Sequence, residues 1–332
     1  MRPVLALTQG DPAGIGPEIL LKALARFSAE RALPLLVAER AALEAVRPLV
    51  PAGVWERLFF LGSPPTRGEL ERAGERIPVL DPVGAPRVIA LGRSGSDDAA
   101  GAMAALDAAI ALARAGTVDA LVTAPVSKGS IARHLLPGFV GHTDYLAAAC
   151  GLERYGRDYL MAFLSPGLRV ALLSVHVPLL EALRAITGES LLEALTCLHR
   201  HGAGRIALAG FNPHAGEEGL LGSEDRDLLA PAVAEARRRG INAHGPESAD
   251  SLFARARRGE FDWVLSLFHD QGLIAVKTAS FGAATNWTVG LPFLRTSVDH
   301  GTAFHLAGTG RADEGPMLAV LDTTLELLAS PG

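Results

Sequence analysis

An α/β fold is what this sequence predicts, on three observations. Short apolar runs alternate with longer amphipathic ones, which is the pattern of strands followed by helices. The 36 glycines and 21 prolines punctuate those runs without a period, so they mark turns rather than repeats. At roughly 150 residues per domain, 332 residues make about two domains.

Strands are expected at Pro3–Thr8, Leu33–Ala38, Ala120–Thr123, Arg169–Val175, Arg205–Gly210 and Trp263–Phe268, each a short apolar run. Helices are expected at Gly16–Arg26, Ala99–Ala115, Leu179–Ala185, Ser190–Arg200, Glu224–Arg239 and Met317–Ala329. Pro17 falls where a missing N–H costs a helix nothing, while Asp98 and Ser223 are placed to cap. The helix at 224–239 begins acidic and ends in Arg237, Arg238 and Arg239 before Gly240, as the macrodipole and the left-handed end position favour. Segment 62–98 is rich in Gly, Pro and charge and carries no assigned element. The last helix is expected to return to the first half of the chain.

Composition excludes several classes. With 31 basic and 36 acidic residues the net charge is −5, and no basic block supports polyanion binding, so no nucleic-acid partner is expected. Aromatics at 5% are too few for a stacking groove. Two cysteines, Cys150 and Cys197, form no CxxC and fit a reducing compartment. The apolar run at the N-terminus is shorter than a signal-peptide core, and no window approaches a membrane span. A cytoplasmic, soluble protein is the expectation.

Three histidines occupy one kind of place. The strand beginning at Arg169 runs into His176, that beginning at Arg205 into Asn212-Pro213-His214, and that beginning at Trp263 into His269-Asp270. In a parallel sheet these ends share one edge, where α/β proteins bind ligands. Three neutral imidazoles there suit a catalytic divalent metal, with Asp270 and Glu217 available to orient the rings. The simpler reading makes each histidine a lone capping or core residue.

Anion-binding signals come next. Gly10-Asp11-Pro12-Ala13-Gly14-Ile15-Gly16 follows the first strand and opens a helix, without a Rossmann or P-loop fingerprint; it reads equally as a structural turn. Gly141-His142-Thr143-Asp144 opens another helix, with Thr143 as its cap or His142 and the free N–H groups as anion ligands. Lys277, Asn286 and Arg295 stand in an apolar stretch and suit a phosphate or carboxylate, or else Lys277 and Arg295 reach out from strand edges. Asp299-His300-Gly301-Thr302-Ala303 and Ala307-Gly308-Thr309-Gly310 make a long loop with room for a nucleotide.

On these residues the chain resembles, end to end, the 4-hydroxythreonine-4-phosphate dehydrogenase family of pyridoxal phosphate biosynthesis. The resemblance rests on Gly10 to Glu18, Gly141-His142-Thr143, Asn212 to Glu217, His269-Asp270-Gln271-Gly272-Leu273, and Gly290-Leu291-Pro292 through Arg295-Thr296-Ser297 to Ala303. It implies two α/β/α domains with a cleft between them, similar to the isocitrate and isopropylmalate dehydrogenase group. The domains are drawn as 1–135 with 300–332, and 136–299 carrying the metal histidines. The implied reaction is NAD-dependent oxidation and decarboxylation of 4-phosphohydroxy-L-threonine to 3-amino-2-oxopropyl phosphate, with NADP as the alternative cofactor. By resemblance, His176, His214 and His269 hold one divalent ion (zinc, magnesium or cobalt), and His142, Thr143, Lys277, Asn286 and Arg295 hold the phosphorylated substrate. Gly14, His300 and Gly301 hold the cofactor. A homodimer completes the site at the subunit interface, so the three histidines need not come from one chain. Asp250 and Asp270 are candidates for proton transfer, with a helix cap the alternative for Asp250. His305 and Thr309 depart from the acidic residue and the lysine that the family pattern leads one to expect in the cofactor loop. Two other readings stay open: a dehydrogenase of threonate or erythronate phosphate, and a non-redox hydrolase or phosphometabolite-binding protein.

Overall fold

A computed structural model describes residues 2–280 and 282–329; the last three residues of the segment drawn as 300–332 lie outside them. The chain divides into two α/β units. One runs through Cys150 and resumes at Pro292; the other comprises Gly151–Leu291. The changeovers drawn from the sequence stood at 135/136 and 299/300. They fall instead after the helix His142–Ala149 and before the strand Leu294–Val298, because that strand pairs in parallel with Ala120–Thr123.

In the first unit the strands are β1 (Val4–Thr8), β2 (Leu33–Val37), β3 (Leu58–Leu61), β4 (Ile77–Leu80) and β5 (Ala120–Thr123). The second unit contributes β6 (Leu160–Ser165), β7 (Leu168–Leu172), β8 (Ile206–Ala209), β9 (Ala243–Glu247), β10 (Trp263–Ser266) and β11 (Thr285–Val289). Then β12 (Leu294–Val298) returns to the first. The first unit's order is β3-β4-β2-β1-β5-β12, parallel throughout. In the second the order is β11-β6-β7-β10-β8-β9; β7, β10, β8 and β9 run parallel, and β6 is antiparallel to both its neighbours.

Each unit has its own core. In the first, Leu5 and Leu7 of β1 pack with Ile19, Leu20 and Leu24 of the helix Gly16–Arg26 and with Met317, Val320 and Leu321 of the helix Gly315–Ala329. The return of the last helix is thus as expected. Lys22 fastens it: its Nζ pairs with the buried Glu18 at 2.7 Å and donates to the carbonyls of Gly310 and Ala312. In the second unit Val170, Leu172 and Val264 pack with Leu252, Leu273 and Val276.

Among the elements that differ from expectation, three bear on capping and on the site. The long helix of the first unit starts at Ser96, so Asp98 lies inside its first turn, where its carboxylate accepts from Gly95 N–H and from Arg87. The helix expected at 224–239 opens with a wide turn over Asp225–Leu229, because the Asp225 carboxylate turns away to another loop. Ser223 serves it through its carbonyl, which accepts from Asp227 N–H. The stretch after β10 is a helix, His269–Ser280, so Lys277 projects from its last turn and not from a strand edge.

Gly16 shows how tightly the first helix meets the sheet. A Cβ there would lie 2.1 Å from the Gln9 carbonyl oxygen, whereas one at Gly53, in the helix Ala52–Arg57, would meet nothing within 4 Å. Gly16→Ala is therefore expected to cost about 1–3 kcal/mol, and Gly53→Ala to stabilise by up to about 1 kcal/mol, both read from urea unfolding.

Candidate active site

The three strands that precede the predicted metal histidines are adjacent and parallel, in the order β7-β10-β8. Their carboxyl ends therefore share one edge, and side chains tie those ends together. Ser174 Oγ donates to the Leu267 carbonyl at 2.9 Å, joining β7 to β10. Gln271 accepts from Leu267 N–H and donates to the Gly210 carbonyl, joining β10 to β8. The buried Asp225 carboxylate accepts from the N–H groups of Phe211 and Asn212 at 2.7 and 2.9 Å, fixing the approach to His214.

This edge brings two of the imidazoles together. The rings of His176 and His269 lie 5.5 Å apart between centroids and line one pocket with Asp270. His269 Nδ1 is 2.7 Å from Asp270 Oδ1. In the neutral ring this contact puts the hydrogen on Nδ1 and leaves Nε2 its lone pair, as a metal ligand requires. His214 stands apart, on a turn in which His214, Ala215, Gly216, Glu217 and Glu218 all have positive φ (43–81°). Among the described residues no three His, Cys, Asp or Glu side chains form a metal-binding group, and no imidazole bonds to Glu217. The donor chemistry of His176 and His269 suits a divalent ion, and among the described residues His214 does not join them.

The proton-transfer candidates separate as well. Asp270 is engaged with His269. Asp250, in the first turn of the helix Ala249–Arg257, accepts from Ser248 Oγ at 2.6 Å. That bond first, and the charge of His214 after it, hold its carboxyl below the usual range, so it is an acceptor at neutral pH.

In the first unit, β1, β5 and β12 are neighbours, and a second group gathers at their carboxyl edge. Arg295 pairs in register with Leu121, and its Nη2 donates at 2.6 Å to Thr123 Oγ1, two residues further along β5 on the same face. The guanidinium therefore points toward that edge. Only 1% of Arg295 is exposed, so it does not reach out from a strand edge. Burial pulls its pKa down, though not near neutrality, and it stays a cation.

His142 opens the helix His142–Ala149; its Nε2 is sealed from solvent and has no hydrogen-bond partner. Burial first, then the charges of Arg295 and Lys128, hold this imidazole well below its usual pKa, so it is neutral. Thr143 is buried in the first turn and makes no capping bond. Lys277 and Asn286 belong to the second unit: Lys277 is exposed, while Asn286, on β11, has an Oδ1 that is sealed and unbonded. Lys128 is the charged residue that sequence reasoning passed over. Its place directly after β5, in Pro125-Val126-Ser127-Lys128, was the available signal.

The expected cofactor loops meet each other. Ile15 N–H donates to the Thr302 carbonyl at 3.1 Å, and a Cβ at Gly14 would lie 3.1 Å from that oxygen. His300 and Gly301 sit beside this contact, with His300 Nδ1 3.0 Å from the Gly301 carbonyl. Gly10, at φ +70°, and Gly16 are required by the backbone itself.

The chain matches the family described as pyridoxal phosphate biosynthetic protein PdxA over residues 31–324. It belongs to that family. Two PdxA-family relatives named 4-hydroxythreonine-4-phosphate dehydrogenase are similar over nearly their whole length. That of Acidithiobacillus ferrooxidans is 43% identical, covering 98% of this chain and 96% of its own. The Burkholderia vietnamiensis protein is 42% identical, covering 97% and 96%. A crystal structure of 4-hydroxythreonine-4-phosphate dehydrogenase from Klebsiella pneumoniae matches with a TM-score of 0.84 at 34% identity, covering 98% and 99%. A terephthalate 1,2-cis-dihydrodiol dehydrogenase from Burkholderia xenovorans matches with a TM-score of 0.64 at 27% identity, covering 98% of both chains. The α/β fold expected for the family is the one observed. No described helix is long and apolar enough to cross a membrane.

The lowered pKa of His142 fixes a pH dependence. The unfolded chain takes up the proton near pH 6.5 while the folded chain resists it, so this histidine's contribution is present above that pH and is lost as pH falls below it. Urea unfolding of the His142→Gln variant is expected to lose less stability than the parent between pH 7 and 5.5.

Proposed function

We propose that this chain is a 4-hydroxythreonine-4-phosphate dehydrogenase, an NAD- and divalent-metal-dependent oxidoreductase. The observation that carries the reading is 43% identity over 98% of the chain to a relative of that name. The buried cation Arg295 and the neutral His142 beside it supply a matching anion site.

In the proposed reaction C3 of 4-phosphohydroxy-L-threonine gives a hydride to NAD+, and its hydroxyl proton is lost. The 3-oxo acid breaks its C1–C2 bond to release CO2, and C2 takes up a proton to give 3-amino-2-oxopropyl phosphate. A divalent ion would supply Lewis acidity to the C3 oxygen throughout. His176 and His269 would hold it, with Asp270 fixing the ring of His269. Arg295, His142 and Thr143 would orient the substrate through its phosphate, with Lys277 and Asn286 as further ligands. The loops around Gly14 and His300-Gly301 would position the cofactor.

Completing the metal site by a second copy of the chain, as a cytoplasmic homodimer, accounts for the separation of His214. Apolar side chains stand exposed beside each histidine: Val177, Leu179 and Leu180 after His176, Leu220 and Leu221 after His214, and Ile274 one turn beyond Asp270. Such a surface calls for cover.

Metal-stripped protein with NAD+ and 4-phosphohydroxy-L-threonine is expected to form no NADH until zinc, magnesium or cobalt is returned. Full turnover without a metal would remove the metal from the reaction. Turnover of threonate or erythronate 4-phosphate instead would reassign the substrate. His214→Ala should weaken metal binding by more than the ~10–100-fold attached to losing an outer-shell partner, with little change in melting temperature. Wild-type metal affinity in that variant would release His214 from the site.

A further inference from the structure

We infer that Lys128 is a binding residue for the substrate's phosphate, acting with Arg295 at the start of the helix His142–Ala149. The inference rests on the activity proposed above and adds a residue to its anion site.

Geometry carries it. A Cβ at Gly141 would lie 3.1 Å from Lys128 Cε and 3.3 Å from its Nζ, so the lysine lies against the residue that precedes the helix His142–Ala149. Arg295 comes to the same imidazole from β12, on the other side of β5 in the strand sequence, and its guanidinium is fixed by Thr123. Both cations act on His142, and no carboxylate is among the groups that shift it.

This placement suits an anion. Lys128 is the first residue of the helix Lys128–His134 and lies beside the start of a second helix. A cation at the positive end of a helix is disfavoured, the opposite of a carboxylate there. The start of the helix His142–Ala149, a buried guanidinium and an ammonium come to an imidazole whose Nε2 has no partner. A doubly charged phosphate satisfies all of them: two cations, an imidazole able to donate through Nε2–H in one tautomer, and free helix N–H groups. The carboxylate-rich surroundings of His214 and His269 offer it nothing comparable.

Lys128→Met and Lys128→Arg test this, since the residue is exposed and its loss leaves the core intact. Inorganic phosphate is expected to raise the melting temperature of the metal-free, NAD-free parent. That rise should be lost in Lys128→Met and largely kept in Lys128→Arg, while L-threonine, which lacks the phosphate, should not shift any of the three. In turnover, Lys128→Met should raise KM by about tenfold or more, the worth of a hydrogen bond to a charged group, with the loss in kcat/KM carried by KM. Lys128→Met with the parent's KM and the parent's phosphate response would overturn the inference. A parent that responds to phosphate through Lys128 yet never oxidises 4-phosphohydroxy-L-threonine would keep the inference and reject the proposed reaction.

Discussion

Parallel pairing is the constraint from which the candidate site follows. A strand that runs parallel to its neighbour must deliver its carboxyl end to the same edge. In the first unit that rule puts the loops after β1, β5 and β12 side by side. Applied to the second, it does the same for the loops after β7, β10 and β8, which hold the three histidines. Residues as distant in sequence as His176 and His269 become neighbours through pairing alone, and side-chain hydrogen bonds then fix the details. Asp225, Gln271 and Ser174 each spend their hydrogen bonds on a loop that follows a strand.

The two edges differ in chemistry. That of the first unit brings two cations, Arg295 and Lys128, to the start of a helix and a histidine kept uncharged. The second unit's edge gathers imidazoles with carboxylates, Asp270 on His269 and Asp250 within reach of the charge of His214. One surface is suited to an anion and the other to a cation.

Sequence patterns revealed the elements whose side chains agree with their surroundings. Continuous apolar runs such as Val4–Thr8 and Ala120–Thr123 lie on buried parallel strands and were legible. Strands that carry functional or contrary residues were not, nor were the apolar runs Leu58–Leu61, Ile77–Leu80 and Leu160–Ser165. Leu294–Val298 buries Arg295, Thr285–Val289 includes Asn286, and Ala243–Glu247 contains a glycine and a proline. The helix His269–Ser280 was hidden by opening on site residues and holding Gly272, where a Cβ would meet Ser266 Oγ at 2.8 Å. For the site, residue types and spacing pointed to the three histidines and to Arg295. Which residues meet in space was not legible, because that depends on the path of the His214 turn and on the lysine beside Gly141.

That turn bears on how this protein tolerates change. Four of its five left-handed positions are occupied by residues other than glycine, each a conformation L side chains adopt at a cost of about 1–2 kcal/mol. Glycine at Ala215, Glu217 or Glu218 would relieve that cost, so selection for robustness alone would drive the segment toward glycine. The same substitutions would widen the range of directions in which the imidazole of His214 is presented. Heat resistance and a well-aimed imidazole are therefore opposed over these few residues, and a laboratory lineage evolved only for thermal survival would drift away from the side chains found here.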